Sequence, residues 1–367
     1  MNLKLIFISL GLLLTKLLTA QDQTTELSLK QVIEIARMES PDAQTARHSF
    51  RSAYWNYKYY RANYLPSLSL TSDPNLNRAI NKITMGDGSV KFVEQNLLNT
   101  DLTLNLSQNL SWTGGSFFLE TSAQRMDLFS EHKYSWQTSP IMIGYRQSLF
   151  GYNSLKWDRR IEPVRYQEAK KSYVETLELV SANAINKFFA LATAQSDYDI
   201  ASFNYANADT LYRYAQGRYN IGTITENEML QLELNRLTEE TNRMNALIEM
   251  DNCMQELRSY LGIHEDRELR VLVSPQIPDF SVNLNEALAL AYENSPDIQT
   301  MERRKLESES AVAKARANAG LKADIYLRFG LTQTADKLPE AYRNLLDQQY
   351  VSIGISLPIL DWGRGKG

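Results

Sequence analysis

Residues 28–45 read SLKQVIEIARMESPDAQT, and residues 283–300 read NLNEALALAYENSPDIQT. The two stretches align without a gap at an offset of 255 (283 − 28). Leu29, Ala36, Ser40, Pro41, Asp42, Gln44 and Thr45 return as Leu284, Ala291, Ser295, Pro296, Asp297, Gln299 and Thr300, and Arg61-Ala62-Asn63 returns as Arg316-Ala317-Asn318. Such self-similarity marks a duplicated structural unit. Both copies carry the same helix punctuation. Ser28 with Gln31, and Asn283 with Glu286, stand at capping-box spacing and each pair opens a short amphipathic helix. Ser40-Pro41-Asp42 and Ser295-Pro296-Asp297 then place a cap, a first-turn proline and an acid on the positive end of the helix dipole. Each opens a second, longer helix, ending near Asn63 and Asn318.

Beyond these helices the apolar period changes from helical to two. Ile325, Leu327, Phe329 and Leu331 alternate with Tyr326, Arg328 and Gly330; later Val351, Ile353, Ile355, Leu357 and Ile359 alternate with small or polar residues. The first copy shows Leu68 and Leu70, then Leu102, Leu104 and Leu106, the aromatic stretch Phe117-Phe118-Leu119, and Ile141, Ile143, Tyr145, Gln147 and Leu149. Gly86-Asp87-Gly88 and Gly114-Gly115 between them are hairpin-turn signals. Strands of this kind suit either a half-buried sheet in a soluble domain or the lipid-facing wall of an outer-membrane barrel.

Between the two copies lies one sustained helical pattern. Leu177, Ala184, Leu191, Tyr198, Tyr205, Tyr212 and Tyr219 recur every seven residues, with Val180, Ala194, Ala201, Ala208 and Ala215 in the companion row, interrupted by Lys187. The pattern from Trp157 to Ile221 predicts a helix on the order of 90 Å long, with a seam of small residues suited to close helix packing. Gly222 is placed to close it in the left-handed conformation. Thr225 and Glu228 then form a capping box for a second helix, striped by Leu230, Leu234, Leu237, Met244, Leu247, Met250, Met254, Leu257 and Leu261 and stopped by Gly262. The short turn makes the two helices antiparallel.

The amino end carries Lys4, an apolar run from Leu5 to Leu14, and Leu18-Thr19-Ala20 before polar residues, which reads as a secretory signal cleaved after Ala20. The run is too short to span a bilayer, which needs ~20 residues. No later stretch is long and apolar enough either, so any membrane crossing falls to strands. Lys and Arg number 39 against 43 Asp and Glu; without Lys4 and Lys16 the balance is 37 − 43, or −6, which gives no field to gather nucleic acid. The single Cys253 excludes an intramolecular disulfide, and His48, His132 and His264 are too scattered for a metal centre. No nucleophile–base pattern is present, so neither an enzyme nor a cofactor is expected. Gly363-Arg364-Gly365-Lys366-Gly367 lacks the spacing of a phosphate loop and reads as a strand-to-helix corner. Arg303-Arg304-Lys305 reads as a solvated helix face and Cys253 as packing.

Taken with RANYLPSLSL at 61–70, QSLFGYNSLKW at 147–157, LPILDWGRGKG at 357–367 and, most specifically, RYNIGTITENEMLQLE at 218–233, the chain resembles the TolC-like outer membrane efflux protein family over nearly its whole length. The resemblance implies a mostly α fold with membrane β-strands. A homotrimer would build one barrel in the outer membrane of a Gram-negative cell and a periplasmic helical tunnel, partnered by a periplasmic adaptor and an inner-membrane pump. It also implies that Arg218, Tyr219, Gly222, Thr223, Ile224, Thr225 and Glu226 form the adaptor-docking tip, with Glu226 at the aperture. The alternative from the residues alone is a periplasmic coiled-coil adaptor or scaffold. The expected organisation is a signal peptide at 1–20, first-copy helices at 21–64, barrel strands at 65–150, the long hairpin at 151–263, a linker at 264–281, second-copy helices at 282–320, strands at 321–360, and the start of a second hairpin at 361–367. Two departures stand out. Strand-like material over about 78–127 leaves the number of strands open, and the second copy stops where the first begins its hairpin, so the source gene is expected to continue for roughly another 100 residues.

Overall fold

A computed structural model describes residues 25–264, 268–274, 276, 279–357, 359, 360 and 362. The expected signal peptide and the glycine-rich corner 363–367 lie outside the described residues. Two compact units emerge: Met1–Arg51 with Lys170–Ser295, and Ser52–Ala169 with Pro296–Gly367.

The first unit is built on helices. Its strand β1 (Thr25–Ser28) leads into α1 (Leu29–Glu39), and the Ser28–Gln31 capping box forms as the spacing predicts. Helix α2 (Pro41–Ala62) follows at once; Ser40 is buried and its Oγ accepts from the Ala43 amide at 3.1 Å. Helix α3 (Ser154–Asn220) runs through Pro163, which withholds one backbone donor without ending it. Helix α4 (Glu226–Leu261) starts on the Thr225–Glu228 capping box and ends at left-handed Gly262, φ 73°. Val32, Ala36 and Ala43 pack with Val180, Ala184, Phe188 and Leu191 of α3 and Leu257 and Leu261 of α4, so the heptad seam supplies the core at the base of the hairpin.

Strand β7 (Leu269–Leu272) lies within the span read as a linker and pairs in parallel with β1, Leu27 opposite Val271. Leu27, Leu269 and Val271 are buried and close one side of this core. Helix α5 (Leu284–Asn294) opens the second copy. Here the expected capping box is not made: Asn283 accepts from Asn285 at 3.0 Å rather than pairing with Glu286.

The second unit holds residues 52–62 of α2, residues 154–169 of α3, α6 (Pro296–Ala319) and one antiparallel sheet. Its strands are β2 (Ser67–Thr71), β3 (Asn75–Thr84), β4 (Val90–Asn109), β5 (Ser116–Leu128), β6 (Lys133–Ser148), β8 (Lys322–Ala335) and β9 (Leu346–Ser356). They run in the order β2-β4-β5-β6-β8-β9, with β3 also on β4. Residues 78–127 therefore form full strands, and both predicted glycine turns join hairpins. Among the described residues no helix is long and apolar enough to cross a membrane.

Candidate functional site

Cross-strand pairing sorts the sheet into two faces. One row runs Leu68, Leu106, Leu119, Ile143, Phe329, each opposite the next, and a second runs Phe117, Tyr145, Leu327, Val351. These side chains are largely open: Leu68 is 67% exposed, Ile143 54% and Ile353 64%, so the face is apolar and uncovered across every strand. The opposite row runs Ser69, Asn105, Glu120, Met142, Gly330, Gln348.

On that second face Glu120 accepts from Arg328 at 3.0 Å across the intervening strand. Phe118 stacks on Tyr326 at 5.9 Å, Tyr326 meets Tyr350 at 5.7 Å, and Arg146 lies over the Tyr326 ring. Gly144 sits beneath Phe118, where any side chain would strike the ring. A sheet with one apolar face and one polar, charged face is the arrangement that separates lipid from water. The sequence reading set Arg328 among the residues that alternate with the apolar row but did not single out Glu120. The available signal for Glu120 was positional: it directly follows Leu119, whose side chain lies in the apolar row, so alternation puts the charge on the polar face.

The turn between α3 and α4 brings all seven expected tip residues together. Gly222 adopts φ 76°, the left-handed region that favours glycine, and its amide donates to Tyr219 O at 2.8 Å. The Thr223 amide and hydroxyl both donate to Arg218 O at 2.9 Å, closing the last carbonyls of α3. The Thr225 amide donates to Glu228 at 2.8 Å, and the Glu228 amide returns a bond to Thr225 Oγ1 at 3.3 Å. The Thr225 backbone bond, then its hydroxyl, hold the Glu228 carboxyl below its usual range. Arg218, Tyr219, Gly222, Thr223, Thr225 and Glu226 are exposed, and Ile224 is half-buried. Ile224 lines a shallow groove of about 400 Å³ with Leu211, Tyr214, Arg218 and Leu232.

Where α6 meets the start of α3, charge dominates. Arg303 donates to both Glu168 oxygens, one at 3.0 Å, and to Glu307 at 2.8 Å; Arg165 also reaches Glu307 at 2.8 Å and bonds Glu162. Thr300 adds a bond to Glu168 at 2.9 Å. The Arg303 bond holds the Glu168 carboxyl low. Burial pushes Glu307 up but is outweighed by Arg165 and Arg303, leaving it low. Burial raises Asp158 and Glu162 despite Arg165. The reading of Arg303-Arg304-Lys305 as a solvated face is corrected at Arg303, whose side chain is only 21% exposed. Its partner is 135 residues away and invisible to local pattern. Cys253 is partly buried against the core, and burial pushes its thiol up.

With the two-faced sheet, the hairpin and its tip in place, comparison with known proteins becomes decisive: residues 32–263 match the family model described as outer membrane efflux protein. The chain belongs to the outer membrane efflux protein family. The fold agrees. The CmeC outer membrane channel of Campylobacter jejuni superposes with a TM-score of 0.64 at 15% identity, covering 92% of this chain and 63% of that one. VceC of Vibrio cholerae gives 0.59 at 14% identity, covering 92% and 70%. The open state of the Neisseria gonorrhoeae MtrE channel gives 0.57 at 14%, covering 92% and 65%. This family member thus spans about two thirds of the length of those channels. No curated protein matches it in sequence.

Proposed function

We propose that the chain is a subunit of an outer-membrane export channel, a passive conduit that works as a homotrimer with a periplasmic adaptor and an inner-membrane pump. Residues 65–150 and 321–360 supply the barrel, 151–263 the periplasmic hairpin, and 1–20 the export signal. The observation that carries this reading is the sheet, whose apolar face runs uncovered across every strand while the other holds Glu120, Arg328 and Arg146. A periplasmic adaptor or scaffold has no use for such a face, because an apolar patch of more than a few hundred Å² in water is an aggregation liability. Membrane fractionation tests the reading: the protein should need detergent for release, and recovery in the soluble periplasm would overturn it in favour of the adaptor.

The tip Gly222-Thr223-Ile224-Thr225 contacts the adaptor in this reading, and Glu226 guards the tunnel mouth. Gly222→Val should impair export without loss of subunit assembly, because it strains only the exposed turn. A ring of Glu226 carboxylates favours cations. Glu226→Gln should reduce cation selectivity in planar bilayers, and unchanged selectivity would remove that role.

A further inference from the structure

We propose that the junction between the helices and the sheet holds the headgroup of an anionic phospholipid, with its phosphate between Arg61 and Arg159 and its acyl chains on the apolar face of the sheet. This rests on the reading above, in which that face meets lipid. Under it, the helical end of the sheet lies at the periplasmic leaflet of the outer membrane.

Three helix–strand junctions come together at that end. Helix α2 runs into β2, β6 into α3 and α6 into β8, and the strand pairs there include Ser67 with Ser107, Asn109 with Ser116, Ser116 with Arg146 and Arg146 with Tyr326. Segments 58–66, 149–160 and 313–324 together carry eight Lys or Arg against two acids, Asp158 and Asp324. Arg160 is engaged by Glu309 at 3.6 Å. Arg61 and Arg159 are exposed and make no ion pair among the described residues. The junction is therefore a cationic collar at the level where a leaflet presents its phosphates.

Both arginines line a groove of about 490 Å³, together with Tyr60, Tyr64, Gln108 and Trp112. Its frame is fixed by long-range hydrogen bonds. The Tyr64 hydroxyl donates to Leu155 O at 2.6 Å, Gln108 Nε2 to Tyr64 O at 3.0 Å and Asn109 Nδ2 to Asn63 O at 3.1 Å. The Tyr60 ring meets Tyr64 edge-on at 5.2 Å. These contacts lock the end of α2 to the start of α3 and the end of β4, so a ligand meets a preformed site and loses less in ordering it.

The groove adjoins the lipid side of the sheet. Gln108 stands opposite Phe117, in the row that continues through Tyr145, Leu327 and Val351, and the next residue on that side of β4 is Leu106. At the rim Leu65 is exposed and Trp112 is 79% exposed. Tryptophan and tyrosine favour the boundary between hydrocarbon and headgroups, where one end of the ring is apolar and the other wet. The guanidinium fork matches the oxygens of a phosphate. An apolar wall, an indole at the boundary and two guanidinium groups beyond it thus match the acyl chain, the glycerol and the phosphate of one lipid in order. A free phosphate would use only the last of these.

The test is native mass spectrometry of the full chain in detergent, titrated with phosphatidylglycerol, with phosphatidylcholine of the same chain length, and with sodium phosphate. Phosphatidylglycerol should be retained in preference to phosphatidylcholine, and excess sodium phosphate should not displace it. Replacing both Arg61→Gln and Arg159→Gln should raise the half-saturating phosphatidylglycerol concentration about tenfold or more, since each basic side chain near an anionic lipid surface is worth roughly fivefold. Arg61→Lys with Arg159→Lys should keep most of the preference, and Arg304→Gln, an exposed arginine midway along α6, should change nothing. Equal retention of the two lipids, or unchanged retention in the double glutamine variant, overturns the site. Displacement by sodium phosphate alone makes it a free-anion site and overturns the lipid. A protein that needs detergent for release yet holds no lipid overturns the site and leaves the channel reading standing, whereas recovery in the soluble periplasm overturns both.

Discussion

In α1, Val32 and Ala36 are fully buried; at the matching places in α5, Ala287 is half-buried and Ala291 exposed. Leu284 and Tyr292 of α5 are 70% and 69% exposed, although both helices carry one apolar pattern and one style of punctuation. The difference lies in what stands beside them. The base of the α3–α4 hairpin covers α1, with Phe188, Leu191 and Leu261 against Val32 and Ala36. No described element covers α5 in the same way. The longer helices diverge too. In α2, Tyr57 stacks on Tyr166 of α3 at 4.5 Å, whereas α6 reaches the same stretch of α3 through Arg303 and Glu168. Amphipathic pattern thus specifies a helix and a face, while burial and the chemistry of the contact depend on the partner.

The largest expected effect comes from the covered copy. Leu261→Ala removes a fully buried side chain from the core under α1 and should cost about 2–5 kcal/mol, read as a lower midpoint of thermal loss of helical circular dichroism. A change near zero would mean that α1 is not held by this core.

Next is the charged contact of the second copy. Arg303→Met leaves Glu168 and Glu307 facing each other without their shared cation and should cost about 1–3 kcal/mol. Molar salt, where the Debye length falls to ~3 Å, should weaken the wild-type α3–α6 contact while leaving the Leu261 core unaffected. Hydrogen exchange in the two helices separates these outcomes, and equal salt sensitivity of α1 and α6 would erase the contrast.

Acid should act on the same side of the comparison. Glu168 and Glu307 have folded values below the ordinary 4.5, so the stability they add is present above that value and is lost as pH falls through their folded range. Asp158 and Glu162, raised by burial, work the other way, since protonating them relieves a cost. With Arg165 and Arg303 binding the lowered pair, the net expectation is selective loosening of α6 below about pH 4.5. Glu168→Gln should flatten that response. Loosening of α1 over the same window would contradict it.

These contrasts also show what the sequence could express. The duplicated helices, the Ser28 and Thr225 capping boxes, Gly222 and Gly262 were legible because each is fixed by neighbours within four residues. Both sheet faces were legible from alternation. The β1–β7 pair was not: two strands of four residues are too short to show a period, and their partnership joins chain segments more than two hundred residues apart. Arg303 was misread for the same reason, and Asn283 makes a different cap because Asn285 offers a nearer amide.

The smallest expected effect is the sharpest test of why the two copies differ. Leu288 in α5 is 48% exposed and Leu290 50%, so truncating Leu288 to alanine in the chain alone removes little buried area. Alanine is also the best helix former, which offsets part of what is lost. Leu288→Ala should therefore change the stability of this chain by no more than ~0.5 kcal/mol, as exposed substitutions do. If α5 is covered in the assembled channel as α1 is covered here, the same substitution should cost about 2 kcal/mol or more there, because the leucine would then leave a cavity. Measuring the variant in both states, by thermal unfolding in detergent before and after assembly, tells the two conditions apart. A large cost in the isolated chain would mean that α5 is already packed, and that the contrast with α1 does not arise from the absence of a covering helix.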